Sequence, residues 1–307
     1  MPQLALLLST LIWGATFPAT KAVLDQIPPF SFLFLRFLLG TLLTVGVFLM
    51  LRNRFRFDRA LLRMSAIATV FLFLGYALQT VGLRHTTASN SAFITALYVV
   101  LVPLFLRRFQ THTWVSAGLA VVGLWFLLDP AGSMNLGDLL TVGCAAAFAG
   151  HISCLESYTR QGNSFAFFVW QLIFVTGALV PAMLIESPAS ASFAPTEILF
   201  LALTVTGVLA TGAFAAQIWA QRLLPAQKVA LIFSLEPAFA AWLAWYFLGE
   251  HLTQSGWLGS GLILAAVVFG SGVFTVTGEA KAANRAFKGN PPSEVQPRSR
   301  VTRHESR

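Results

Sequence analysis

Apolar residues in this chain do not recur on one helical face, as they would in an amphipathic soluble helix. They run on in long unbroken stretches, and the polar residues collect between them. A helix needs about 17 to 25 predominantly apolar residues to cross the ~30 Å hydrocarbon core of a bilayer. Stretches of that kind fall at roughly 3–22, 30–50, 63–83, 90–106, 113–129, 137–158, 164–185, 197–221, 225–248 and 253–276. The pattern therefore predicts an all-α integral membrane protein of ten transmembrane helices, with connections too short to hold a second soluble domain. Residues 278–307, rich in Lys, Arg, Pro, Ser and Asn, read as a disordered basic tail.

Composition strengthens this picture. Of 307 residues, 56% are hydrophobic and 10% charged, far more apolar content than a soluble domain can bury. The first span follows Met1-Pro2-Gln3 with no basic n-region and no cleavage site before Lys21, so it is expected to be retained. Cys144 and Cys154 lie on one predicted helix, about 15 Å apart along its axis. They cannot bridge each other and read as small buried hydrophobes.

The net charge of +8 would suit nucleic acid only if a folded soluble domain carried it, so no nucleic-acid partner is expected. Membrane topology accounts for it instead. When alternate connections are assigned to one side, seventeen of the twenty Lys and Arg residues fall there with the tail. Lys21 and Arg84 are left on the other side and Arg36 within a span. The positive-inside rule then places both termini in the cytoplasm, with the protein in the inner (plasma) membrane.

The chain also repeats itself. An offset of 135 places Trp13 on Phe148 and Gly14 on Ala149. An offset of 138 pairs Gln79 with Gln217, Arg84 with Arg222, Ala92 with Ala230 and Leu97 with Leu235. An offset of 143 pairs Trp114, Gly118 and Phe126 with Trp257, Gly261 and Phe269. Two halves of five spans each, at 1–130 and 131–277, must enter the membrane from opposite faces. Inverted repeats of this kind underlie alternating access in many carriers.

Trp13-Gly14-Ala15-Thr16-Phe17-Pro18, Leu35-Arg36-Phe37, Leu235-Glu236-Pro237-Ala238-Phe239-Ala240-Ala241 and Leu248-Gly249-Glu250 together resemble the EamA-type transporters of the drug/metabolite transporter superfamily. The resemblance spans about residues 3–276. It implies ten helices around a central cavity, and export or exchange of metabolites such as amino acids or related compounds. The first half reads Val102-Pro103 where the second reads Glu236-Pro237, so a charge-dependent step is expected to rest on the second half.

Polar groups within hydrocarbon are costly and mark cavities or partners. Glu236 is expected near the middle of span nine, either binding a proton or a cationic substrate group or holding the fold. Pro237 is expected to kink that span. Arg36 either meets a substrate anion by bidentate bonds or snorkels and satisfies backbone carbonyls. His151 either titrates or donates one hydrogen bond to a neighbour. Tyr76 and Gln79, and Gln217 and Gln221, recur at three- or four-residue spacing, so each set shares a helix face. They form a cavity wall or interhelical glue. Asn90 and Tyr98, with Trp13, are candidates to extend that wall. Gly14 and Pro18 are one turn apart in span one and read as a bending point for gating, with close packing the ordinary alternative.

No phosphate-binding Gly-rich loop for a nucleotide-driven pump is present, nor the His-Glu-x-x-His or Gly-x-Ser-x-Gly pattern of a hydrolase. The sequence thus points to a secondary transporter and away from an enzyme, with a passive facilitator as the alternative. No cofactor or metal is expected. The expected partners are a small-molecule substrate and the lipid bilayer, with the protein a monomer or homodimer.

Overall fold

The computed structural model describes residues 2–51, 58–107, 111–127, 135–159, 164–186, 195–221, 232–233 and 235–270. The basic tail and Lys228 lie outside them. All regular structure among the described residues is helical: α1 (Pro2–Val23), α2 (Pro29–Met50), α3 (Arg59–Leu83), α4 (Ala88–Thr95), α5 (Tyr98–Phe105), α6 (Thr111–Leu127), α7 (Leu136–Thr159), α8 (Ser164–Ile185), α9 (Glu197–Leu203), α10 (Ala210–Gln221), α11 (Glu236–Leu248) and α12 (Gln254–Gly270). A π-helical stretch, Thr204–Leu209, joins α9 to α10. Among the described residues, six helical stretches are long and apolar enough to cross a membrane: Pro2–Val23, Pro29–Met50, Arg59–Leu83, Leu136–Leu155, Phe165–Ile185 and Glu197–Gln217. The outer surface carries Leu42, Met50, Trp114, Val121, Phe200 and Phe247 largely exposed, which a bilayer solvates and water does not. Trp242, Trp245 and Tyr246 stand exposed with them.

The chain departs from the continuous spans that hydropathy predicts in three places. The fourth apolar stretch is two helices, broken at Ala96–Leu97. The eighth contains the π-helical stretch. The described helix of the ninth begins at Glu236. Ile232 and Phe233 are helical and Leu235 is a turn, so the ninth span is interrupted directly before Glu236-Pro237. Pro237 occupies the first turn of α11, where its missing N–H costs nothing.

Two glutamates finish helices of the first half from the second. Glu186 Oε2 accepts from the backbone N–H groups of Phe30 and Ser31 at 3.0 Å each, capping α2. Glu250 accepts from the Ala88 N–H at 2.8 Å and the Ser89 N–H at 3.0 Å, capping α4, and from the Ser89 hydroxyl at 2.8 Å. A carboxylate on free amides at a helix N-terminus satisfies orphan donors and complements the helix dipole. Gly249 aims the second of these. It ends α11 in the left-handed region at φ 66 and ψ 21, which L-residues with a Cβ enter at a cost of about 1–2 kcal/mol. Nothing lies within 4 Å of a Cβ built there. Gly249→Ala is therefore expected to lose about 1 kcal/mol through the backbone alone, seen as a lower Tm in a thermal-shift measurement.

The closest helix pairs are α6 with α12 and α3 with α7. Further in, α1 packs on α11 and α10, and α7 on α4 and α5. α2 lies against α8 and the π-helical stretch, α8 against α3, and α4 against α11. This arrangement brings the break between α4 and α5 and the start of α11 to the middle of the helices that surround them.

Candidate functional site

The two interrupted helices coincide under the repeat. The offset of 138 that pairs Leu97 with Leu235 also pairs Tyr98 with Glu236, and these are the first residues of α5 and α11. Leu97 (φ −57, ψ −18) and Leu235 (φ −81, ψ −10) share a right-handed backbone at the break. The residue equivalent to Glu236 is thus Tyr98, not Val102 as the Pro103/Pro237 match suggests. Discontinuous helices at matching positions of two repeats are where transporters place their sites.

Arg36 reaches this region from α2. It is only 6% exposed, so it does not snorkel. Its guanidinium lies 4.7 Å from the centroid of the Tyr76 ring and 5.3 Å from that of Phe37. Aromatic faces supply part of what water would give the cation. Tyr76 is held edge-on by Phe37 at 5.0 Å and Phe148 at 5.2 Å.

The paired glutamines end up in different states. Gln79, buried on α3, donates from Nε2 to the Thr95 hydroxyl at 3.3 Å. Gln217 on α10 has an enclosed Oε1 with no hydrogen-bond partner. The offset gives the reason: where the first half has Thr95 the second has Phe233, which offers no hydroxyl. Phe233 instead packs on Trp13 with centroids 5.3 Å apart, while the Trp13 indole N–H donates to the Ala210 carbonyl at 3.4 Å. An enclosed carbonyl oxygen without a donor is a costly residue of folding unless something else supplies one.

Gly14 brings α1 directly onto the first turn of α11. A Cβ built there would lie 2.9 Å from Phe239 Cβ and 3.0 Å from both the Glu236 carbonyl oxygen and the Ala240 nitrogen. The close-packing reading of Gly14 is the one this contact matches. Pro18 is buried one turn further along the same helix.

Other sequence candidates lie apart from the cluster. His151 is buried on α7 and meets Gln171 of α8 through its Nε2, the single neighbourly hydrogen bond of its ordinary reading. Asn90 donates its backbone N–H to the Thr87 hydroxyl at 3.0 Å, near the start of α4. The Gln221 side chain lies outside the described residues. The structure adds Phe37, Thr95, Cys144 and Phe148, which sequence reasoning did not single out. A signal existed for Phe148, since the 135 offset places it on Trp13, and both are aromatic residues framing the cluster.

Comparison with known proteins follows this geometry. The profile of the EamA-like transporter family matches the chain twice, over residues 1–129 and 135–271. The chain belongs to the EamA-like transporter family. It is 35% identical over 279 residues to an uncharacterized transporter of Archaeoglobus fulgidus, covering 87% of this chain and 84% of that one. It is 30% identical over 240 residues to the threonine/homoserine exporter RhtA of Escherichia coli K12, covering 76% of this chain and 78% of that one. The uncharacterized transporter YoaV of Bacillus subtilis is 24% identical, with 90% and 96% covered. A protein of known crystal structure superposes with a TM-score of 0.62 at 16% identity, covering 88% of this chain and 98% of the other, a likeness of fold. This EamA-like protein is therefore a multi-pass membrane transporter, and its relatives' names point away from an enzyme.

Proposed function

We propose that this chain is a secondary transporter of ten transmembrane helices in two inverted repeats, 1–130 and 131–277, with both termini in the cytoplasm of the inner membrane. It exports or exchanges amino acids or related small metabolites by alternating access. The helix pairings support the repeat. Exchanging each span for its equivalent turns α1 on α11 into α7 on α4 and α5, and α1 on α10 into α7 on α3. The pairs α2 with α8 and α6 with α12 map onto themselves.

The observation that carries the substrate reading is the buried guanidinium of Arg36, which lies against the rings of Tyr76 and Phe37. A buried cation without a carboxylate is unsatisfied, and a bidentate anion is the group that suits it. Glu236, partly exposed at the helix break, takes the proton or the substrate's cationic group. Gln217 Oε1 offers a further acceptor, with Trp13, Tyr76 and Tyr98 as the apolar wall. A zwitterionic solute with a short side chain fits that donor set, and the resemblance to a threonine/homoserine exporter supports the class.

The test is uptake into proteoliposomes of labelled threonine, homoserine and a panel of other amino acids, with and without a pH gradient. Wild type is expected to show saturable uptake, and Glu236→Gln to lose the gradient-driven part. Flux that rises linearly with concentration would make the protein a passive facilitator instead. A folded protein that moves nothing in the panel would overturn the substrate class.

A further inference from the structure

Between α4 and α7 runs a line of polar side chains. At the Lys21 end, the Thr86 hydroxyl donates to the Asp138 carboxylate. The Ser91 and Thr141 hydroxyls follow at 3.5 Å from each other, and then the Thr95 hydroxyl at 3.9 Å from Cys144 Sγ. All six side chains are buried. The α7 members recur every three residues, about 4.5 Å along the axis, so the rungs step down almost one per turn. The last rung meets the central cluster through Thr95, whose hydroxyl accepts from Gln79 Nε2 at 3.3 Å.

The mouth of this seam is tied by two cations. Lys21, in the last turn of α1, donates from Nζ to the Leu83 carbonyl at 2.7 Å and the Thr86 carbonyl at 2.8 Å, at the end of α3. Arg84, just past α3, donates in return to the Leu24 carbonyl at 3.2 Å and the Ile27 carbonyl at 3.5 Å, just past α1. Each charge thus sits on the carbonyls that close the other's helix, where the helix dipole favours a cation. These are the same two basic residues that the positive-inside pattern leaves on the minority side. Topology does not call for them, and the reciprocal clamp does.

We propose that the α4/α7 seam is the outward pathway from the central cluster, and that Lys21 and Arg84 hold its mouth shut until the transporter opens to the outside. The word outward rests on the orientation proposed above. The clamp itself rests on the distances. Its release parts α1 from the α3–α4 turn, freeing the Thr86 carbonyl and exposing the Asp138 rung to water.

The test reads the two native cysteines separately by peptide mass spectrometry, in the full-length protein. A membrane-impermeant maleimide is applied to intact cells or to inverted membrane vesicles. In wild type, Cys144 is expected to be protected from both sides. In the double variant Lys21→Gln/Arg84→Gln, Cys144 labelling in intact cells should rise about tenfold while Cys154, ten residues further along α7, stays at its wild-type rate. Lys21→Arg with Arg84 intact keeps both the charge and the donors, and should remain protected. Unchanged Cys144 labelling in the double variant overturns the pathway. A parallel rise at Cys154 also overturns it, because the clamp then only holds the fold together. A rise confined to inverted vesicles keeps the clamp as a gate and reverses the membrane orientation.

Discussion

Replacing Arg36 with methionine is expected to leave the protein as thermally stable as wild type, or more so, while lowering the initial rate of substrate uptake about 100-fold. The two halves of this expectation come from one fact. The guanidinium is buried against Tyr76 and Phe37, so its desolvation is offset in every folded molecule only by cation–π contacts. Exchanging a buried charge for an apolar side chain of similar length is commonly neutral or stabilising when no partner charge is stranded. A charge-assisted hydrogen bond to a bound carboxylate contributes up to about 3 kcal/mol, which corresponds to about 100-fold in affinity or rate. The check is a thermal unfolding curve and proteoliposome uptake on the same preparation. An Arg36→Met protein that is destabilised yet transports normally per folded molecule would make this arginine a strut.

Gly259→Ala is expected to cost about 3 kcal/mol of stability, the upper end of ordinary overpacking, while Gly118→Ala and Gly261→Ala cost little. α6 and α12 are in contact through backbone at Gly123 and Gly259. A Cβ on Gly259 would lie 2.4 Å from the Leu127 nitrogen and 2.6 Å from the Gly123 carbonyl oxygen. Both atoms are main chain and have no rotamer to move to, so the helices must separate along their most extensive contact. Close approach of this sort is what small residues provide where helices cannot rely on a hydrophobic driving force. At Gly118 and Gly261 a Cβ meets nothing within 4 Å. The measurement is the Tm of the three variants in one detergent. Equal shifts at 118, 259 and 261 would mean that loss of glycine, and not the crossing, sets the cost.

These glycines show where the sequence was legible and where it was not. Hydropathy located the helices to within a few residues, for instance 30–50 against Pro29–Met50 and 164–185 against Ser164–Ile185, because desolvation acts on whole stretches. The repeat offsets paired Gly118 with Gly261, yet the glycines that touch are Gly123 and Gly259. Equivalence under a repeat says which positions match in sequence, and contact depends on the crossing point of two particular helices. The helix break at Tyr98 and Glu236 was hidden for a similar reason. Leu97-Tyr98-Val99 is as apolar as any continuous span, and only the paired interruption of α11 gives it meaning. Arg36, Tyr76, Gln79, Tyr98 and Glu236 were readable as polar or aromatic exceptions within hydrocarbon. Which of them meet was not readable, since they come from four different helices, only Tyr76 and Gln79 sharing one. His151 and Asn90 looked equivalent to the rest on that criterion and have partners of their own at Gln171 and Thr87.

The two helix caps have a consequence for the order of synthesis. Ala88 lies 162 residues ahead of Glu250, and Phe30 lies 156 ahead of Glu186. The ribosome therefore delivers the first five apolar stretches long before the carboxylates that complete two of them. During that interval the leading amides of α2 and α4 have only water or lipid headgroups to serve as acceptors. The first half cannot reach its final form as a separate fragment, however much it resembles a complete unit in its hydropathy. A gene cut between the halves would have to supply both pieces to the same membrane, and the second would act as the template that finishes the first.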